Sequence, residues 1–537
     1  MVLKVELPDS PSAGHQILSP LRGLRLIGNF SHGLRRGLHS LRRFAAGLQG
    51  GNMRSFVALI LVGYSALAAA QNLSPEVRAF VKVDTPLVAL THVRVIDGTG
   101  AAAREDQTVV ISKGKIESVG DAASANVPKD AQVIDLRGYS VIPGLVGLHD
   151  HMFYPAGDAI FHEMAISFPR LYLAGGVTTI RTTGSIEPYM DLALRKQIDE
   201  GKATGPRIHV TGPYLEGPGS WAPQMTELKT PEEAVATVNF WADRGVDNFK
   251  AYNFISRATL KAAIDAAHKR GLKVTGHLCS IGFREAAALG IDDLEHGISV
   301  DTEFFSGKKP DECPVSSRAS MVAVADELNR IQVSDEPIQE MIRDLVSHHV
   351  AVTSTLPVFE LFVPSKTPMQ QRVLDAMSET ARSQFLQNRV RLDLPMRDPK
   401  TGESRTTPWG RSYEQEKEFE RAFVKAGGLL LAGEDPTGIG GDLAGFGDQR
   451  EVELLVEAGF TPLEAIHIAT YNGAQYLGEL DRIGSIGPGK HADLVVIKGD
   501  PSKKIEDIEN VETVFKDGVG YDSAKLIESV RGLVGIR

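Results

Sequence analysis

The sequence predicts an α/β chain: a (β/α)8 TIM-like barrel over residues 143–479, joined to a small β-sandwich built by both ends of the chain, 84–142 and 480–521. Three observations predict it. Eight strand-like runs in the middle of the chain each end in polar residues and lead into an amphipathic helical segment. Short alternating strands of one texture lie on both sides of that middle. The composition, 42% hydrophobic and 23% charged in 537 residues, supplies a sizeable core and excludes disorder and fibrous repeats.

Taken in order, the chain begins with an Arg-containing leader, 1–52, expected not to belong to the native protein. From Met53 a basic residue, Arg54, precedes the apolar run Phe56–Gly63, and small residues stand at Ala68 and Ala70. This is the layout of a secretory signal over 53–70, cleaved after Ala70 so that the chain starts at Gln71. The run is too short to span a bilayer comfortably, so no stable membrane anchor is expected after cleavage, and the address is secreted or periplasmic. Residues 1–70 carry eight Lys/Arg against two Asp/Glu, so the shortened chain is more acidic than the full-length net charge of −10.

The first alternating strands are Leu87–Ile96, Thr108–Ile111, Lys115–Val119 and Gln132–Leu136, punctuated by Asp97-Gly98 and Lys113-Gly114 turns. Ala492–Ile497 and Glu512–Gly518 resume the texture near the other end. Between them the barrel strands fall around 145–151, 177–182, 207–212, 247–252, 272–277, 291–296, 350–355 and 428–435. Glu232–Arg244 and Ala258–Arg270 are representative helices, with apolar Ala234, Val235, Val238 and Trp241 on one and Leu260, Ala263, Ile264 and Ala267 on the other. The connections after the sixth and seventh strands are long and belong to active-site loops, lids or subunit contacts.

The chemistry begins at His149-Asp150-His151, which closes the apolar run Val141–Leu148. Strand residues two apart face one side, so both imidazoles can share a metal ion. Lys250, His277, His296 and Asp435 each sit at the C-terminal end of a different predicted strand, where barrel enzymes place reacting groups.

On these residues, together with Ala469–Ala474 and Gly487–Val496, the chain resembles the metal-dependent amidohydrolases across residues 85–520. It is most similar to the imidazolonepropionase-related peptidase branch, with its Xaa-Pro and Xaa-Arg dipeptidases and ochratoxin-type amidases. The resemblance implies that His149, His151 and Asp435 bind one divalent metal, His277 and His296 a second, and a carboxylated Lys250 bridges them. Zinc fits this mixed imidazole and carboxylate set best. The activity implied is cleavage of a C–N amide bond in a dipeptide or N-acyl amino acid by metal-activated hydroxide, with Asp435 as proton shuttle. Tyr252 and Arg257 would hold the substrate's terminal carboxylate, and His209 and His162 could line the pocket. Glu434 replaces the small residue usual before the aspartate, which leaves its role open. Alternatives are hydrolysis of a cyclic amide or ester, deamination at the same metals, or a metal-containing binding protein without turnover.

The remaining features narrow the field. With 58 basic against 68 acidic residues, no nucleic-acid partner is expected. Gly438-Ile-Gly-Gly-Asp442 lacks the Lys-Ser/Thr of a nucleotide phosphate loop. The charge run Glu414–Arg421 reads as a solvated helix face. Cys279 and Cys313 either bridge, pinning neighbouring loops, or remain free thiols. The expected partner is a small amide or dipeptide, and assembly into a homo-oligomer is expected.

Overall fold

The computed structural model describes residues 73–157, 159–220, 222–364, 366–393 and 408–536. The leader 1–52 and the signal-like segment 53–70 lie outside the described residues. Eight parallel strands follow in chain order: β1 (Leu145–Asp150), β2 (Val177–Thr182), β3 (Arg207–His209), β4 (Asn248–Ala251), β5 (Lys273–Gly276), β6 (Asp293–Glu295), β7 (Ala351–Ser354) and β8 (Leu430–Ala432). Each pairs with its neighbour in sequence. The β3–β4 junction is made by a bridge between Thr211 and Asn248 rather than by a long ladder. The circuit closes where the Asp435 amide donates to the His149 carbonyl at 2.9 Å, giving the (β/α)8 barrel expected from the sequence.

Local signals set the helices between them. Thr230 caps the helix Pro231–Ala242, accepting from the Glu233 amide at 3.2 Å with proline at the first helical position, and Ser256 caps Arg257–His268 through the Thr259 amide. Ala234 and Val238 of the first helix, and Leu260, Ala263, Ile264 and Ala267 of the second, are buried against the barrel wall.

The terminal strands join into one nine-stranded sheet. Leu494–Lys498 runs antiparallel to Tyr139–Pro143, which in turn pairs with Leu87–Val95, so the two ends of the chain meet in a single ladder. Its apolar side, with Val88, Leu90, Val109, Ile111, Val141, Leu494, Val496 and Phe515, forms a core of its own. Pro143 hands this sheet directly to β1.

The long connections are helical, and one of them corrects the reading of the charge run. Glu414 and Glu418 are exposed, but Glu416 and Glu420 are buried on the inner face of the helix Pro408–Lys425. Glu416 is drawn in because it accepts from the Ser299 amide at 2.7 Å in the connection after β6. Cys279 and Cys313 form a disulfide with Cα atoms 4.9 Å apart, tying the segment after β5 to the connection after β6. No described helix is long and apolar enough to cross a membrane.

Candidate metal centre

The cluster starts with an irregularity in β1. Gly147 pairs with Ile180, yet Asp150 pairs with Thr182, so β1 carries one extra residue at this point. Such a bulge re-aims side chains. Val146 and Leu148 fill the barrel interior with Leu431 and Ala474, and after the bulge His149 and His151 face the cavity while Asp150 faces away from it. On the opposite side of the junction Gly433 has no side chain for a steric reason: a Cβ there would lie 2.4 Å from the His149 Cβ. Glycine lets β8 approach closely enough to deliver Asp435.

The six residues predicted as ligands come together. The Asp435 carboxylate lies 3.4 Å from His151 Nε2, 3.7 Å from His149 Nε2 and 3.8 Å from His296 Nε2. Lys250 Nζ lies 3.1 Å from His149 Nε2. The His149 and His296 rings are 4.4 Å apart and those of His277 and His296 4.5 Å. His149, His151, Lys250 and His296 are buried, and His277 is the most open of the set. His296 and Asp435 both adopt left-handed backbone, φ 68° and 57°, which non-glycine residues take only when surrounding structure holds them there.

Orientation of the imidazoles is fixed from behind. His149 Nδ1 donates to Glu295 Oε2 at 2.6 Å, leaving Nε2 with its lone pair toward the cluster. His296 Nδ1 is likewise engaged by Thr355 Oγ1 at 2.7 Å. Glu295 is held by Arg181, whose Nη2 donates to Glu295 at 3.0 Å and to Asp293 at 2.9 Å while its Nε donates to the Leu148 carbonyl. This ion-pair layer beneath the cluster went unassigned in the sequence. Its signal was there: Arg181 is the one charge in the strand Val177–Thr182, and Asp293 and Glu295 are two of the three residues of β6.

Electrostatics suit cations. Burial, then the neighbouring Lys250, holds His149 well below the usual imidazole range, and the same two causes bring His277 to about 3. These rings are neutral and can ligate. Burial also lowers Lys250 below the usual ammonium range. For Asp435, burial alone would raise the carboxyl, but His149 and His151 hold it below the ordinary carboxylate range. Four imidazoles, one carboxylate and a desolvated lysine are a donor set fit for divalent metal ions.

The predicted substrate residues fall differently. Tyr252 stands beside the cluster, 4.9 Å from the His277 ring, and with Tyr214, Phe153, Ile186 and Met225 forms an apolar wall; the Phe153 ring stacks on His151 at 4.3 Å. Arg257 opens a helix on the surface, where its backbone and Nε donate to Asp311 and its Nη1 to Glu285. The connection after β6 brings Asp311 there, and no contact joins Arg257 to the histidines among the described residues. His209 faces Glu479 at 3.4 Å, just beyond the helix Gly473–Leu477. That helix packs on the N-terminal half of the strands, where Lys273, the first residue of β5, donates to the Tyr476 carbonyl. His162 lies exposed in the hairpin Phe153–Gly157/Ile160–Glu163.

Comparison with known proteins agrees with this geometry. The Amidohydrolase family model matches residues 140–308 and 431–519, which contain all six clustered residues. A dihydroorotase from Anaeromyxobacter dehalogenans is 31% identical over 129 residues, 24% of this chain and 29% of that protein. An imidazolonepropionase from Idiomarina loihiensis is 35% identical over 109 residues, 19% of this chain and 26% of its own. The chain thus spans less than a third of the length of these relatives. A solved structure from Bifidobacterium longum, provisionally named a prolidase, superposes with a TM-score of 0.59 at 26% identity, covering 83% of this chain and 98% of that one. Fold, cluster and family match together place the chain in the amidohydrolase family.

Proposed function

We propose that the chain is an exported two-metal hydrolase that cleaves a C–N amide bond in a dipeptide or N-acyl amino acid. The observation that carries this reading is the convergence of His149, His151, Lys250, His277, His296 and Asp435, with the Nε2 atom of His149 freed toward the centre by Glu295.

His149, His151 and Asp435 would hold one ion, His277 and His296 the other, and Lys250, carboxylated, would bridge them. A neutral buried amine is the form that takes up carbon dioxide, and burial favours that form here. Zinc or a similar dication would supply carbonyl polarisation and acidified water at neutral pH. Asp435 is anionic at neutral pH, so it can accept a proton from water and pass it to the departing nitrogen. Thr437 Oγ1 donates to Asp435 Oδ1 at 2.8 Å and fixes the carboxylate's rotation. The wall of Phe153, Tyr214 and Tyr252 suits an apolar substituent beside the scissile bond. Export is supported by the Cys279–Cys313 disulfide, which suits an oxidising compartment.

The test is a screen of the zinc-reconstituted protein against dipeptides and N-acyl amino acids, with esters and cyclic amides as controls. Turnover of amides above the controls is the expected result. Zinc binding without turnover of any of them would leave a binding protein and sink the assignment.

A further inference from the structure

We propose that Asp150, Glu434 and Asp448 form a separate cation site on the outer side of the barrel wall, an all-oxygen site suited to Ca2+ or a comparably hard dication. It goes beyond the proposed hydrolase and does not rest on it. One carboxylate oxygen from each of the three residues lies within 4.8 Å of the others. Calcium binds oxygens at about 2.3–2.6 Å, so opposite ligands of one ion stand about 5 Å apart, and the three atoms fit around a single ion.

The second observation is how little else these acids have. Asp150 and Glu434 are fully buried, and both Asp150 oxygens and Glu434 Oε1 lack a hydrogen bond of full geometry, the donors that reach the two acids being the Glu434 amide and the Tyr172 hydroxyl. Glu434 Oε2 accepts from the Asp448 amide at 3.2 Å and Asp448 Oδ2 from the Gly445 amide at 3.0 Å, so two oxygens of the cluster are held in place. No ion pair joins any of the three to a basic side chain among the described residues. Arg181, whose charge reaches Asp150, is committed to Asp293 and Glu295. Buried carboxylates need a counter-charge or a donor for each oxygen.

Room has been made for them. A Cβ on Gly147 would lie 2.1 Å from Asp150 Oδ2, and a Cβ on Gly447 would lie 2.4 Å from Glu434 Oε2 and 2.1 Å from a fourth acid, Asp442. Beside Asp448 is a cavity of about 10 Å3, the size of one water molecule, bounded by Asp448, Glu451 and small or apolar residues of β1 and β8. The donor chemistry separates the two places: imidazole nitrogens inside the barrel select borderline metals such as zinc, and carboxylates alone outside select hard ones.

The experiment is elemental analysis of the full chain purified in zinc and calcium and then desalted. The wild type should carry one equivalent of calcium in addition to zinc. Glu434→Gln/Asp448→Asn should lose the calcium and keep the zinc, while His149→Ala/His151→Ala should lose zinc and keep the calcium. Calcium absent from the wild type, or retained in Glu434→Gln/Asp448→Asn, overturns the proposal, the first outcome meaning that the acids share protons instead. If the acid variant does not fold, wild type and His149→Ala/His151→Ala decide it: calcium retained in both supports the outer site, and calcium lost with zinc overturns it. Loss of zinc alone would bear on the hydrolase reading and not on this one.

Discussion

The wall where β1 meets β8 has two faces, and neighbouring residues on the same two strands feed both. His149, His151 and Asp435 face the barrel interior; Asp150 and Glu434, each adjacent in sequence, face outward toward Asp448. Burial is alike on the two faces, yet the outcome for a carboxyl is opposite. Imidazoles around Asp435 override the desolvation that would raise it. On the outer face burial lifts Glu434, and the neighbouring Asp448, Asp442 and Asp150 lift it further. Burial takes Asp448 to about 7. The difference teaches that what faces a buried acid, rather than its depth, decides whether it is a base or an acid at neutral pH before any cation binds.

The largest effect that can break this comparison is at Asp435. Asp435→Asn keeps the volume and removes both the anionic ligand and the proton acceptor, so kcat should fall by about 10^3-fold or more. Steady-state kinetics on any amide turned over by the wild type would measure it, and an unchanged kcat would remove the residue from the chemistry.

A second break uses a buried acid that faces neither imidazoles nor other clustered acids. Glu216 is fully buried; its Oε1 accepts from the Gly217 and Phe254 amides, each at 2.7 Å, and burial still takes it up to about 7 from an ordinary 4.5. A raised pKa in the folded state means that stability present below pH 4.5 is lost as pH rises toward 7. Glu216→Gln cannot ionise and escapes that loss. The gap in melting temperature between variant and wild type should therefore widen in the variant's favour across pH 4.5–7, equivalent to on the order of 3 kcal/mol, and stay level above it. Parallel pH profiles would show that the amides fully offset the burial.

Much of this was legible in the sequence. The eight barrel strands are short apolar runs with polar C-terminal ends; His149-Asp150-His151 after Val141–Leu148 is a weak signal alone and gains its meaning from Lys250, His277, His296 and Asp435 at the ends of other strands. The six clustered residues were legible for the same reason, since each ends a strand. What stayed hidden depends on partners distant in the chain. Nothing near Arg257 announces that Asp311 will claim it. Glu416 and Glu420 look solvated until the helix Pro408–Lys425 packs against the connection after β6. His209 ends a strand as the true cluster members do, but its side chain meets Glu479 from the opposite end of the chain. The extra residue in β1, which decides which of three adjacent side chains enters the barrel, leaves no trace in composition or periodicity.

The smallest expected effect sharpens the comparison most, because it separates holding a ligand from being one. Glu295 lies outside the proposed ligand set; it fixes His149 through Nδ1 and is itself fixed by Arg181. Glu295→Gln preserves the shape of the side chain, but its amide can turn either oxygen or nitrogen toward Nδ1, so His149 loses its enforced tautomer. It also removes one of the two charges that balance the buried Arg181, whose remaining acidic partner is Asp293. Partners behind a metal-ligating histidine contribute about 10–100-fold to metal affinity. Competition with a zinc chelator should therefore show affinity falling by that factor in Glu295→Gln, while kcat measured at saturating zinc falls much less than in Asp435→Asn. A loss of kcat that excess zinc does not restore would instead place Glu295 in the reaction itself.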